Sequence, residues 1–314
     1  DLFAVRQPAG NPRMPSRFRV YVYVLVTVLT WSHAFVAIKY CLRYVSPWEL
    51  LVLRHVPAVL VFCVYLAARR SSHELRRILR DDGVRFLLLG AAAVTGYHLS
   101  LNMGSQVIPS GTVSLVIGSS PVFTLVMAAL LIRERPALWQ ISGVVIAFAG
   151  LYACIRFGGG KDVDLRYVSG ALVLLLSPFF ASIHTTLSRP LSRKYGALNT
   201  TAFTIILGTV PLLVGADADL VHKAAALPAG FWAADLFLGL GCTAAAYLLW
   251  TKALQVMEAT KVAVFLYLIP VLGIAWGWLY LDERVSWWLV AGAALVIFGV
   301  VLANRKAAAP APVS

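Results

Sequence analysis

The stretch at residues 106–150, QVIPSGTVSLVIGSSPVFTLVMAALLIRERPALWQISGVVIAFAG, returns in outline at residues 255–299, QVMEATKVAVFLYLIPVLGIAWGWLYLDERVSWWLVAGAALVIFG. At a constant offset of 149, Gln106-Val107 falls on Gln255-Val256, Pro121-Val122 on Pro270-Val271, and Glu134-Arg135 on Glu283-Arg284. Trp139 meets Trp288, Gly143 meets Gly292 and Gly150 meets Gly299; the same shift sets Trp31 on Phe180 without a gap. Leu and Val coincide by chance in apolar segments. A Pro, a Glu-Arg pair, a Trp and two Gly at one offset do not, so the chain is an internal duplication.

Both copies are built of apolar runs. Of the 314 residues, 60% are hydrophobic and only 13% charged, against about 25% charged in a typical soluble domain. Mean hydropathy is +0.80. Ten windows approach or reach the roughly 20 residues that cross a bilayer: 19–41, 47–68, 84–107, 109–132, 137–156, 168–188, 199–215, 231–256, 259–281 and 286–304. With the N-terminus inside, 19 Lys and Arg fall in inner loops and tails and 6 in outer ones, while Lys39 and Arg54 stand within spans. That bias places both termini in the cytoplasm. Five spans per copy is an odd number, so the second copy enters the membrane inverted. The expected fold is an all-α membrane protein of ten transmembrane helices in two inverted five-helix repeats, 18–158 and 162–304. Pro/Ala/Arg-rich tails at 1–17 and 305–314 read as disordered.

Other classes fit less well. The net charge of +13 comes from short loops between spans rather than from a basic patch on a soluble domain, which argues against nucleic acid. No cleavable signal peptide is read, because the first apolar run is span-length and lacks a small-residue cleavage site. Cys41, Cys63, Cys154 and Cys242 form no CxxC pair, and neither a disulfide frame, a metal site nor a cofactor is indicated. His73-Glu74 opens a zinc-protease-like motif that fails at Arg77, and Gly118-Ser119-Ser120-Pro121 lacks the last Gly of a nucleophile elbow. Inverted repeats recur in secondary transporters with the solute held near the midplane. The alternative is a membrane-embedded enzyme or lipid-handling protein without solute transport.

The small-residue helix after Tyr97, Pro121-Val122 in the fourth span, Leu131-x-x-Glu134-Arg135 at its end and Gly143/Gly150 in the fifth resemble the EamA-type repeat of the drug/metabolite transporter superfamily. The second copy repeats the pattern between Ala246 and Ala303, and Trp31 with Lys39 and Phe180 with Ser188-Arg189 resemble the start of each repeat. Within that superfamily the chain is similar to bacterial YddG-type exporters of aromatic and other neutral amino acids. The resemblance implies a ten-helix fold in the bacterial inner membrane, and export of small metabolites by alternating access. A monomer in the lipid bilayer is the default expectation.

Polar residues inside spans are costly and usually face a cavity or a partner. His98, Asn102 and Gln106 are spaced i, i+4, i+8, one stripe of a helix; shifted by 149 they fall on Tyr247, Thr251 and Gln255. Two symmetry-related stripes suggest a shared central cavity, although bonding to neighbouring helices would also account for them. The solute is expected between His98 and Tyr247, with Trp31 and His33 contributing from the first helix. Tyr97, Ser119, Phe180 and Tyr267 complete the candidate site. Pro121 and Pro270 are expected as fixed kinks, hinges or both. Arg54, about 10 Å deep, reads as structural. No carboxylate occupies the centre of a span, which favours neutral or zwitterionic cargo.

Overall fold

The computed structural model describes residues 17–131, 136–157, 165–213, 218–254, 257, 262 and 264–304. Both tails and the repeat anchors Glu134-Arg135 and Gln255-Val256 lie outside the described residues. The first half comprises α1 (Arg17–Cys41), α2 (Pro47–Arg69), α3 (Ser72–Gly90, Ala91–Gly96 and Tyr97–Ser105 in one run), α4 (Ser110–Gly118, then Ser120–Leu131) and α5 (Leu138–Phe157). The second comprises α6 (Leu165–Tyr195), α7 (Ala197–Leu213), a short α8 (Ala218–Ala225), and α9 (Ala229–Leu236, Phe237–Ala245 and Ala246–Leu254). It ends with α10 (Leu268–Leu281), entered through a 3₁₀ turn at Val264–Tyr267, and α11 (Trp287–Ala303).

Every element among the described residues is helical. Among the described residues, seven helices, α1 to α6 and α9, are long and apolar enough to cross a membrane; α7, α10 and α11 are shorter apolar helices. Side chains such as Val64, Leu130, Leu138, Trp278 and Phe298 are more than half exposed. So large an apolar exterior suits hydrocarbon rather than water.

Local chemistry sets the helix ends. Ser46 and Glu49 form a capping box with Pro47 in the first turn of α2, and Ser71 and Glu74 form another at α3. The second box explains a departure from the hydropathy reading. Residues 72–83, expected in a connector, begin a capped helix that continues without interruption into the apolar part of α3. At the other end of the chain, Asp282 adopts a left-handed φ of 52°, a conformation in which Asp is among the better-tolerated non-Gly residues. The turn ends α10 and brings the Glu283 N–H back to the Gly277 carbonyl at 3.2 Å.

The duplication is visible in the packing. A Cβ on Gly143 would lie 2.5 Å from the Ala303 nitrogen and 2.6 Å from the Gly299 carbonyl; one on Gly299 would lie 2.6 Å from the Gly143 carbonyl. Gly150 and Gly292 abut each other's carbonyls in the same way. Exchanging the repeats maps each of these contacts onto the other, and the start of one helix meets the end of its mate. Helices α5 and α11 are therefore antiparallel and related by a local twofold, packed backbone to backbone as small residues permit. Both third helices also carry a π-helical segment, Ala91–Gly96 in α3 and Phe237–Ala245 in α9. Such segments are rare and concentrate at functional sites.

Pro121 and Pro270 each sit in the first turn of a helix rather than in the interior of one. Ser119 interrupts α4, and Pro121 opens its second piece; Pro270 follows the 3₁₀ turn. A first-turn N–H has no intrahelical acceptor, so proline costs little there. The carbonyl of Ile117, which the missing Pro121 N–H leaves free, accepts from the Ser120 hydroxyl at 2.6 Å. Ser119 donates to Val116 O at 2.6 Å and is fully buried.

Candidate functional site

Two adjoining cavities of about 190 and 180 Å³ lie in the middle of the bundle and share Tyr97, His98, Thr243 and Tyr247. All four follow or lie within the π segments of α3 and α9. The wider turn changes the register: the His98 ring meets the Ala93 carbonyl at 2.9 Å, and the Thr243 hydroxyl donates to Leu238 O at 2.9 Å, each across five residues.

The cavities are images of each other under exchange of the repeats. Thr243 and Ile269 line the first where Val94 and Ser120 line the second; Trp31 and Arg54 line the first where Ala181 and Thr204 line the second. The last correspondence is fixed by backbone contact. A Cβ on Gly239 would collide with the Arg54 carbonyl, and one on its mate Gly90 would lie 2.7 Å from the Thr204 carbonyl. Arg54 and Thr204 stand 150 apart, one more than Gly90 and Gly239. The connection after α7 absorbs that residue, which corrects the gap-free alignment of the first helices. Ala181 is thus the counterpart of Trp31, while Phe180 covers Gly96.

Of the residues grouped by the sequence pattern, Trp31, Tyr97, His98 and Tyr247 stand around the first cavity. Trp31 donates to the Cys242 carbonyl at 3.0 Å and packs edge-on against Tyr247 at 5.4 Å between ring centroids. Asn102 is buried and donates to the Pro47 carbonyl at 3.0 Å, tying α3 to the start of α2. Gln106 lines a separate vestibule with Lys39 and Glu283. His33 lies in a side groove among Phe237, Trp276 and Tyr280. Thr251, Tyr267, Ser119 and Phe180 are absent from the walls of both central cavities.

Two charged residues were underrated by the sequence. Arg54, read as structural, lines the first cavity and is 4% exposed. Its Nη2 donates to Thr243 Oγ1 at a long 3.4 Å, and its Nε is buried without a partner. Asp235, one turn before Gly239, is fully buried and neither carboxylate oxygen has a hydrogen-bond partner. Its position six residues past the start of α9, as Arg54 is seven past the start of α2 at the same end of the bundle, was the available clue.

One end of the bundle is closed. Ile274, Pro270, Ser114 and Ser110 press on Gly111, Gly118, Gly273 and Gly277, so the first piece of α4 and the body of α10 are in contact along their length. Beyond them, Glu283 accepts from Ser110 N and Ser110 Oγ, both at 2.8 Å, and from Gly111 N at 3.3 Å. It also pairs with Lys39 at 3.2 Å, and Lys39 donates to Ile108 O at 2.9 Å. A residue after α10 thereby caps the start of α4 and holds the end of α1.

A bundle of apolar helices with twofold-related halves and a cavity between them is the architecture of a membrane carrier. The EamA-like transporter family model matches the chain twice, at residues 18–156 and 168–305. The protein belongs to that family and is a multi-pass membrane protein. An "Uncharacterized transporter" of Archaeoglobus fulgidus is 30% identical over 91% of this chain and 99% of its own. A Streptantibioticus cattleyicolor protein named "Probable terminal-alkyne amino-acid exporter" is 31% identical over 90% of this chain and 92% of its own. A solved crystal structure covers 92% of this chain and 97% of its own with a TM-score of 0.61 at 20% identity, a likeness of fold.

Proposed function

We propose that the protein exports neutral or aromatic amino acids or related small metabolites across the bacterial inner membrane by alternating access. On this reading, ten helices span the bilayer as two inverted units, 18–158 and 162–304, and both termini are cytoplasmic. The single observation that carries it is the central cavity bounded by Tyr97 and His98 from one repeat and Thr243 and Tyr247 from the other, with Trp31 between. Aromatic walls with a few polar atoms suit a solute of amino-acid size. The 31% identical relative, named for amino-acid export, supports the same cargo class. On the proposed topology the end closed by Glu283 faces outward, and rocking of one repeat on the other would open it.

Purified protein in liposomes should move labelled tryptophan or methionine down a gradient, and unlabelled substrate should compete. If a panel of amino acids, nucleosides and sugars all fail to move, the assignment fails. Turnover of a lipid or peptide in detergent, with no gradient, would favour the enzyme reading instead.

A further inference from the structure

We propose that Arg54 is the anchor for a carboxylate on the transported solute, so that the cargo is a small organic acid with an apolar or aromatic body, whether or not it carries an amine. The inference rests on the transporter reading above and narrows it.

A guanidinium has five N–H donors. In Arg54 one of them makes a 3.4 Å bond to Thr243, and the buried Nε has no partner. A charged group so poorly satisfied at 4% exposure is costly in the membrane interior. Asp235 is close enough to interact with Arg54 electrostatically, yet both Asp235 oxygens lack hydrogen bonds, so it does not satisfy the guanidinium. Arg54 instead borders a cavity also bounded by Trp31, Tyr97 and Tyr247. A planar fork beside aromatic walls is matched by a carboxylate with an apolar group attached.

The other repeat shows that the scaffold does not require this charge. The position that presses its carbonyl on the third helix is Thr204 there, and the counterpart of Asp235, 149 residues earlier, is Phe86. Phe86 stacks on Phe203 at 5.2 Å. The same helix contact is made once with a buried Arg and Asp and once with no charge, so packing alone does not explain the charges. Asp235 borders neither central cavity, so no matching anion awaits an amine.

The test compares three solutes sharing one ring system in proteoliposomes: tryptophan, indole-3-propionate (acid without amine) and tryptamine (amine without acid). Flux of the first two and exclusion of tryptamine is expected. Arg54→Lys, which keeps charge but loses the fork, should raise KM about 10-fold, and Arg54→Met should weaken transport about 100-fold, the loss of a charge-assisted pair. Arg54→Met/Asp235→Leu removes both charges, leaves neither unpaired, and should melt within a few degrees of the parent while failing to carry either acid. Equal transport of tryptamine, or parent KM in Arg54→Met, overturns the anchor and leaves the transporter reading intact. Absence of any flux in the parent overturns the reading beneath it, before any variant is made. The solute comparison needs only the parent protein, so a variant that fails to fold does not shield the proposal.

Discussion

Replacing Glu283 with Ala should open the closed end of the bundle. Its carboxylate accepts two hydrogen bonds at 2.8 Å and one at 3.3 Å from the first residues of α4, and pairs with Lys39 at 3.2 Å. Those N–H groups have no acceptor within their own helix, and the preceding Pro109 offers no side-chain cap. A bond to a charged group contributes about 1.5–3 kcal/mol and a helix cap about 1 kcal/mol. The Glu283 side chain is 15% exposed and Lys39 25%; the cost of drawing both charges out of water offsets their attraction, so the ion pair is left out of the sum. A loss of about 3 kcal/mol follows, on the order of 100-fold in an equilibrium between closed and open ends. Ile38, 1% exposed on the wall of the central cavity, is the reporter position. With Cys41, Cys63, Cys154 and Cys242 replaced and Ile38→Cys introduced, a membrane-impermeant thiol reagent added outside should label slowly. Glu283→Ala should raise that rate about 100-fold, and Glu283→Gln, which keeps one acceptor oxygen, by several-fold. Labelling within twofold of the parent, in a variant that melts normally, would refute the lock.

Single cysteines at Arg77 or Lys194 should react only with reagent on the cytoplasmic side and those at Lys161 or Lys223 only from outside; a reversed pair would undo the inverted topology. Pro121→Ala and Pro270→Ala should express normally but slow flux several-fold, and unchanged rates in both would remove any flexing role. Gly150→Leu should destabilise the protein by about 3 kcal/mol through overpacking against α11, read as a lower melting temperature in detergent. Asp82 is buried and accepts at 2.7–2.8 Å from Lys194, Tyr195 and Arg85. Asp82→Ala should therefore cost about 2–3 kcal/mol, while a melting temperature equal to the parent's would show that the cluster contributes nothing.

The residues that betrayed the repeat are those whose roles depend on the backbone. Gly143, Gly150, Gly292 and Gly299 let two helices touch, and Pro121 and Pro270 start helices after a break; a substitution there changes geometry rather than degree. The π segments leave no mark in the sequence, because Ala91–Gly96 and Phe237–Ala245 are runs of small or apolar residues whose extra width is decided by packing. Stripes of polar residues brought out His98 and Tyr247. Asn102 bonds to Pro47 O instead, a contact between segments 55 residues apart that no helical period encodes. A single offset pairs Phe180 with Trp31, whereas the connection after α7 is one residue shorter than its counterpart and makes Ala181 the true mate. Arg54 was located by depth, but a lone cation in a span carries no sign of what it faces.

Exchange of the repeats leaves the α5–α11 contact unchanged, since Gly143 on Gly299 and Gly292 on Gly150 are the same pair read twice. Motion between two states can therefore leave that interface intact. On the proposed alternating access, the contact that changes is the one the present structure makes unequally, the first piece of α4 against the body of α10. Its lock has a sequence counterpart. An offset of 149 carries Glu283 to Glu134, and the offset of 150 that governs α1 and α2 carries Lys39 to Arg189. The same two charges thus recur in the sequence of the other repeat, although Glu134 and the Arg189 side chain lie outside the described residues. A carrier needs end states that differ by only a few kcal/mol, and on the proposed function an equivalent lock in the other repeat would keep them close in energy. The charges that are not duplicated, Arg54 and Asp235, cannot serve that balance. Arg54 lines the cavity and Asp235 interacts with it from outside the cavity wall; under the proposed function, this difference between the two halves selects the solute.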